Sequence, residues 1–229
     1  MSQSSQKLLL QIARNPEPQE AFDALKKGKD VQSPYKEIVQ NQIDLGVKKM
    51  HLPEPWNGHI SKAKILFISS NPSIGVHEDF PTKDWEDDEI IGFFENRFME
   101  SDEGSESNFW KGIAKYTTWI FPEAKEMTTL EVLDKYVAMT EIVHCKSKDE
   151  IGINECLESE KPFLSKILKE FKGDIVIFVG RFAKEYYASN KSLFSGTSFK
   201  IAEIYHPNAQ ISGLTDEKRR TDLLRQLKK

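Results

Sequence analysis

Lys64-Ile65-Leu66-Phe67-Ile68-Ser69-Ser70-Asn71-Pro72 decides how this chain folds. Four consecutive large apolar residues, Ile65 to Ile68, stop abruptly at a polar turn. A short continuous apolar run bounded by turn residues fits a strand buried on both faces, as in a parallel sheet. Asp174-Ile175-Val176-Ile177-Phe178-Val179 is a second run of this kind, ended by Gly180. Lys135 to Val143 and Phe199 to Tyr205 supply two more strands, which gives four. Helical patterns lie between them: Asp84 to Met99, Asn108 to Trp119, Asn154 to Phe171 with Asn154 as its cap, Gly180 to Tyr187, and a closing helix from Asp216 to Leu227. Strands that alternate with helices predict an α/β protein with a central four-stranded, mostly parallel sheet and helices on both faces, a three-layer α/β/α sandwich.

The first sixty residues read as helical. Leu8, Leu9, Ile12 and Ala13 mark one helix over Ser5 to Ala13, broken by Pro16 and Pro18. Glu20 to Lys27 forms a second, closed by Gly28. Ser33-Pro34 begins a third, with Ile38, Val39, Ile43 and Val47 on one face, ending near Met50. Residues 1–60 are therefore assigned as a helical extension packed on the core formed by residues 61–229. The Pro-rich loop Leu52 to Gly58 joins them, and the polar stretch Ser101 to Ser107 reads as a loop.

Composition narrows the function. The chain has 229 residues, 38% hydrophobic and 30% charged, with a formal net charge of −4. That balance does not suit a protein that coats nucleic acid, because phosphate contacts require Lys and Arg, although one local basic patch is enough to handle a single nucleotide. The C-terminal Lys218, Arg219, Arg220, Arg225, Lys228 and Lys229 are such a bias, and the solvated face of a terminal helix is the preferred reading of them. Two cysteines, Cys145 and Cys156, no membrane-length apolar run and no basic leader predict a reduced, cytoplasmic protein without a membrane partner.

In open parallel sheets, ligands bind beyond the carboxyl ends of the strands. The residues to inspect are therefore Ser69 to Ser73, Glu141 to Lys146, Gly180 to Phe182 and His206 to Ala209. Asn71 is held out of the helical region by Pro72. It can aim its amide at a ligand or water, or simply end a strand. His206 can donate to a developing anion, act as acid or base, or bond the backbone at a strand end. Neither Gly-x-Gly-x-x-Gly nor Gly-Lys-Ser/Thr follows the first strand, so dinucleotide and P-loop nucleotide binding have no support.

Taken together, Ser69-Ser70-Asn71-Pro72-Ser73, Thr140-Glu141-Ile142-Val143-His144-Cys145-Lys146 and His206-Pro207-Asn208-Ala209 resemble, in order and position, the motifs of the uracil-DNA glycosylase superfamily. The likeness extends over roughly residues 60 to 212, with Cys156 to Phe163 and Ile175 to Ala183 similar to its iron–sulfur branch. It implies a DNA glycosylase that extrudes a deaminated or damaged base and hydrolyses its N-glycosidic bond. Asn71 would hold the hydrolytic water and His206 would stabilise the departing base as an anion. The resemblance makes Ser70, Pro72, Ser73, Pro207 and Asn208 part of the substrate site. Phe80 would stack on the base, or else pack in the core. Gln210 or, preferably, Ile211 would be the wedge left in the base stack. Ser73 is small where some branches carry Tyr.

Three departures follow. Ser69 and Ser70 replace a Gly and a hydrophobic residue. The iron–sulfur branch uses four cysteines and this chain has two, so no cluster, cofactor or metal is expected and both thiols should be buried. Glu141 stands where relatives place the Asn that reads uracil; an ionised carboxylate only accepts hydrogen bonds and suits a guanine-like edge with two donors. The alternative function is a non-catalytic module on the same fold that binds or senses a nucleotide or nucleic acid. A serine hydrolase using Ser69 or Ser70 with His206 lacks the Gly-x-Ser-x-Gly elbow. A metal site at His77, Glu78 and Asp79 would require consecutive residues to converge on one ion. The sequence leaves the oligomeric state open.

Overall fold

The computed structural model describes residues 2–75, 77–100 and 107–228; the loop read at Ser101 to Ser107 lies, except for Ser107, outside them. Three helices, α1 (Gln3–Ala13), α2 (Pro16–Leu25) and α3 (Lys36–Asp44), precede a two-residue strand β1 (Asn57–Gly58) and then β2 (Ile65–Ser69). Next come α4 (Asp87–Glu95), α5 (Arg97–Glu100), α6 (Asn108–Ile120), α7 (Thr129–Tyr136) and β3 (Val137–Glu141). The chain closes with α8 (Ile153–Glu170), β4 (Ile175–Val179), α9 (Gly180–Ser189), β5 (Lys200–Ile204) and α10 (Asp216–Leu227).

The sheet has five strands in the order β1-β3-β2-β4-β5, not the four expected from the sequence. The four long strands are parallel neighbours, and the added β1 runs antiparallel on the edge, pairing Asn57 with Met139 and Gly58 with Ala138. A two-residue strand has no periodicity to read, and the Pro-rich composition around it signals only a loop.

Alternation along the strands explains the apolar runs. Leu66, Ile68, Ala138, Val176 and Phe178 enter one buried cluster with α1–α4, α8 and α9. Ile65, Phe67, Met139, Ile177 and Val179 enter a second with α6, α7 and α10. Both faces of each central strand are thus covered, which is why no polar residue interrupts Ile65 to Ile68. The N-terminal helices share the first cluster with β2 and α8, so residues 1–60 help build the same core that supports the strand ends.

Several boundaries differ for physical reasons. α1 ends at Ala13 ahead of Pro16 as expected, but α2 starts at Pro16 rather than Glu20, because Pro fits a first turn where no N–H partner is needed; Asn15 caps that turn. α7 ends in β3 without a loop, so the strand begins at Val137 rather than Lys135. Gly152, not Asn154, caps α8.

A buried polar chain ties the helical region to the sheet. The Tyr35 hydroxyl donates to Glu160 Oε1 at 2.8 Å, Glu160 Oε2 bonds His144 Nδ1, and Asn15 Nδ2 donates to the Tyr35 oxygen at 3.3 Å. His144 follows β3 directly and Glu160 lies on α8, both nearly without solvent exposure. Removing Glu160 leaves two buried polar groups unpaired. Glu160→Ala should therefore lower unfolding free energy in urea by about 3–5 kcal/mol, against about 1–2 kcal/mol for Tyr35→Phe, which removes the hydroxyl and its two bonds but leaves the Glu160–His144 contact in place. Equal losses in the two variants would show that Glu160 does not join the two regions.

Candidate functional site

The parallel strands end on one side of the sheet, and a crevice of about 1590 Å³ opens there. Asn71, Glu141 and His206 all line it, as do Ser69, Ser70, Pro72, Ser73 and Asn208. Convergence of the strand-end residues was the expectation drawn from topology.

The loop after β2 is held by the loop after β3. Ile142 and Val143 donate their backbone N–H groups to Ser69 and Ser70 carbonyls, both at 3.0 Å, and Ser147 N–H donates to Pro72 O at 3.3 Å. The parallel ladder thus continues past the last strand residues. Asn71 is fixed by the same loop: its Nδ2 donates to Ser147 Oγ at 3.0 Å and to Pro72 O at 3.2 Å. With Nδ2 so engaged, Oδ1 is the end left for a ligand; it accepts no hydrogen bond among the described residues.

His206 is placed by two contacts with α6 and one within its own loop. Its ring lies 5.1 Å from that of Phe109, tilted by 36°. Pro207 packs on Gly112, where even a Cβ would come within 2.5 Å of Pro207 Cβ, so only glycine lets the loop approach this closely. Asn208 N–H donates to His206 Nδ1 at 3.2 Å. An Nδ1 that accepts must be unprotonated, so the neutral ring carries its hydrogen on Nε2. Burial holds the imidazole below its usual pKa, opposed by the charge of Glu150 across the crevice, so the ring is neutral at pH 7. Gly180, at φ +88°, turns β4 directly into α9 and keeps the wall beside His206 free of a side chain.

Glu141 is the last residue of β3 and is 4% exposed. Its Oε1 accepts from Ser69 Oγ at 3.1 Å, while Oε2 is buried without a partner. Loss of water raises its pKa well above the ordinary carboxyl value, and the neighbouring Glu54 carboxylate adds to the effect. Lys146 opposes it, but that ammonium is shared between Glu54, at 3.4 Å, and Glu78, at 3.0 Å. Burial therefore favours the protonated form of Glu141 over the carboxylate. The carboxylate expected from the sequence only accepts hydrogen bonds, whereas the protonated form that burial favours offers one donor and one acceptor, as an amide does.

The remaining predicted residues separate. Phe80 lies among buried rings, 5.3 Å from both His51 and Phe93, with the Lys146 ammonium 3.8 Å from its centroid; it is not among the crevice-lining residues. Ile211 is 40% exposed on the loop after β5 and does not line the crevice. Ser69 donates to Glu141, and neither Ser69 nor Ser70 bonds His206 among the described residues, so no Ser–His pair is assembled. Glu78 pairs with Arg97 and Lys146 rather than with His77 and Asp79, and no group of three potential metal ligands forms among the described residues. Cys145 and Cys156 are buried free thiols.

Sequence reasoning missed Glu54, Asn57, Arg97, Phe109, Trp110 and Glu150, all on the crevice wall. Phe109 and Trp110 open α6 behind the Ser107 cap, and their burial mimics ordinary amphipathic spacing. Asp149 and Glu150 carry the only positive φ values outside glycine among the described residues, 54° and 60°, which no pattern in the sequence announces. No protein-family model matches the chain, and no curated protein matches it.

The state of Glu141 has a measurable consequence. A folded-state pKa above the unfolded one means that the native chain holds the extra proton, so stability falls as pH rises above the ordinary carboxyl value of 4.5. The slope from one such group is at most about 1.4 kcal/mol per pH unit. Glu141→Gln removes this term. Urea unfolding should find the variant at least as stable as the parent at pH 8, with the difference shrinking towards pH 5. Parallel stability curves for the two proteins would mean that Glu141 is ionised in the fold.

Proposed function

We propose that this chain is a DNA glycosylase-like hydrolase of three-layer α/β/α architecture, which takes a deaminated or damaged base into the crevice and cleaves its N-glycosidic bond. One observation carries the proposal: Asn71 Oδ1 and His206 Nε2, each left available by the bonding of the rest of its side chain, belong to one crevice with Glu141 on its wall.

The chemistry needs little from the protein. As the bond between C1′ and the base nitrogen lengthens, its electron pair leaves with the base and the sugar becomes cationic. An electrophile of this kind requires a positioned water more than a strong base, and an amide oxygen such as Asn71 Oδ1 can hold that water. Water adds to C1′, its proton passes to solvent, and the base takes a proton on release. A neutral His206 suits the other half of the step. Its Nε2–H donates to a carbonyl of the base on which negative charge grows, and no ring proton has to move in the transition state. The protonated Glu141 supplies the donor that the expectation from sequence denied it, so a base bearing a carbonyl beside a ring N–H is readable, uracil included.

A second reading rests on the carboxylates of the crevice wall. Glu54, Glu78, Glu89 and Glu150 face it beside Lys146, Arg97 and Arg181, a balance that repels phosphate. A binder of a free base or nucleoside on the same fold would have this wall and need no turnover.

Single-turnover assays on oligonucleotides carrying uracil, hypoxanthine or xanthine, with enzyme in excess, separate the readings. The hydrolase reading expects alkali-labile sites with at least one of these bases, and a rate reduced about a hundredfold or more by Asn71→Ala and by His206→Ala. Base-dependent binding with no cleavage of any substrate would favour the binder. Cleavage unaffected by Asn71→Ala would remove this site from the reaction.

A further inference from the structure

Two polar atoms on the crevice wall are buried and unpartnered: Glu141 Oε2 and Asn57 Oδ1. Asn57 is 2% exposed and lines the crevice, although it precedes the first glycosylase-like motif and belongs to no part of the resemblance. Its position follows from the sheet. Because β1 runs antiparallel to β3, Asn57 pairs with Met139 at the middle of β3, two residues before Glu141 and on the side of the strand's carboxyl end relative to Gly58. The amide is oriented by Glu54, whose Oε1 accepts from Asn57 Nδ2, so Oδ1 is the end that remains.

A buried polar atom without a partner is costly, and a fold that keeps two on one ligand-sized wall retains them for a ligand more readily than for stability. Both atoms are already stripped of water, so a ligand group that reaches them as the crevice tightens loses hydration only on its own side. We propose that Asn57 Oδ1 and Glu141 Oε2 form a two-point reading pair for the bound base, in which Asn57 accepts from a ring N–H and Glu141 donates to the adjacent carbonyl. This deepens the proposed function and rests on the crevice taking a base. Glu141 lies beside Glu54 without a cation to itself, and Ser69 occupies its Oε1, so Oε2 is the oxygen from which the protonated carboxyl would donate. The pair therefore presents one donor and one acceptor, and the edge that matches is a lactam or imide, in which a carbonyl adjoins an N–H. The order is suited to the reaction as well: charge that develops on the carbonyl of a departing lactam meets a donor, whereas a second acceptor there would oppose it.

The test is an NMR titration of the full chain with free uracil, hypoxanthine and N3-methyluracil. Methylation removes the N–H that Asn57 would accept, so it deletes the contact from the ligand side without altering the protein. Uracil or hypoxanthine should bind at least tenfold more tightly than N3-methyluracil, and Asn57→Ala should erase that preference. Glu141→Gln, which keeps a donor and an acceptor, should retain uracil affinity and lose the weakening that the parent shows as pH rises; Glu141→Leu should not bind. Equal affinity for uracil and N3-methyluracil, or a preference that survives Asn57→Ala, overturns the reading pair while leaving the hydrolase intact. Absence of binding by every base together with absence of cleavage overturns both.

Discussion

Glu141 and Glu54 are two buried carboxyls on one crevice wall with a single lysine between them. Glu54 is in contact with Lys146, which also serves Glu78, and Glu141 has only the Ser69 hydroxyl. Burial and the nearby Glu54 charge both push the Glu141 pKa well above the ordinary carboxyl value, since Glu141 has no cation to itself. Much else is arranged around this constraint. The Pro-rich loop delivers Glu54 and Asn57 to the edge of the sheet, Glu54 N–H donates to the His144 carbonyl at 2.8 Å, and the Tyr35–Glu160–His144 chain holds that segment to α8 and the N-terminal helices. The helical first sixty residues thus support the wall on which a ligand would be read.

The sheet was legible because its strands are buried on both faces. Ile65 to Ile68 and Ile175 to Val179 leave no room for another element type, and the positions immediately after them, Asn71 and Gly180, do line the crevice. His206 was legible for the same reason, as the polar end of β5. What stayed hidden has a physical cause in each case. β1 is too short to show a period. Phe109 and Phe80 are both aromatic residues near helices, and nothing local separates one that faces a crevice from one that packs beneath a lysine. The charge state of Glu141 depends on Glu54, eighty-seven positions earlier, and on how far Lys146 is shared. Residue type alone made Glu141 an obstacle to reading a carbonyl-bearing base; its surroundings favour the protonated form, which can donate.

The geometry divides labour among three loops. The loop after β2 is locked to the loop after β3 by backbone hydrogen bonds, which fixes Asn71 relative to Glu141. The His206 loop belongs to a different support, the start of α6, through Phe109 and the close packing of Pro207 on Gly112. In the proposed reaction, water positioning and base reading would therefore depend on one unit and anion stabilisation on another. A base held between them would register any shift of α6 as a change in its contact with His206 alone.

The most direct measurement of the central claim is a crystal structure of the Asn71→Ala variant with a duplex carrying a single uracil opposite guanine. The account predicts the uracil extruded into the crevice, one carbonyl facing His206 Nε2, the other meeting Glu141, and its ring N–H at Asn57 Oδ1. A duplex bound elsewhere on the surface, or a uracil still stacked in the helix with the crevice untouched, would contradict it.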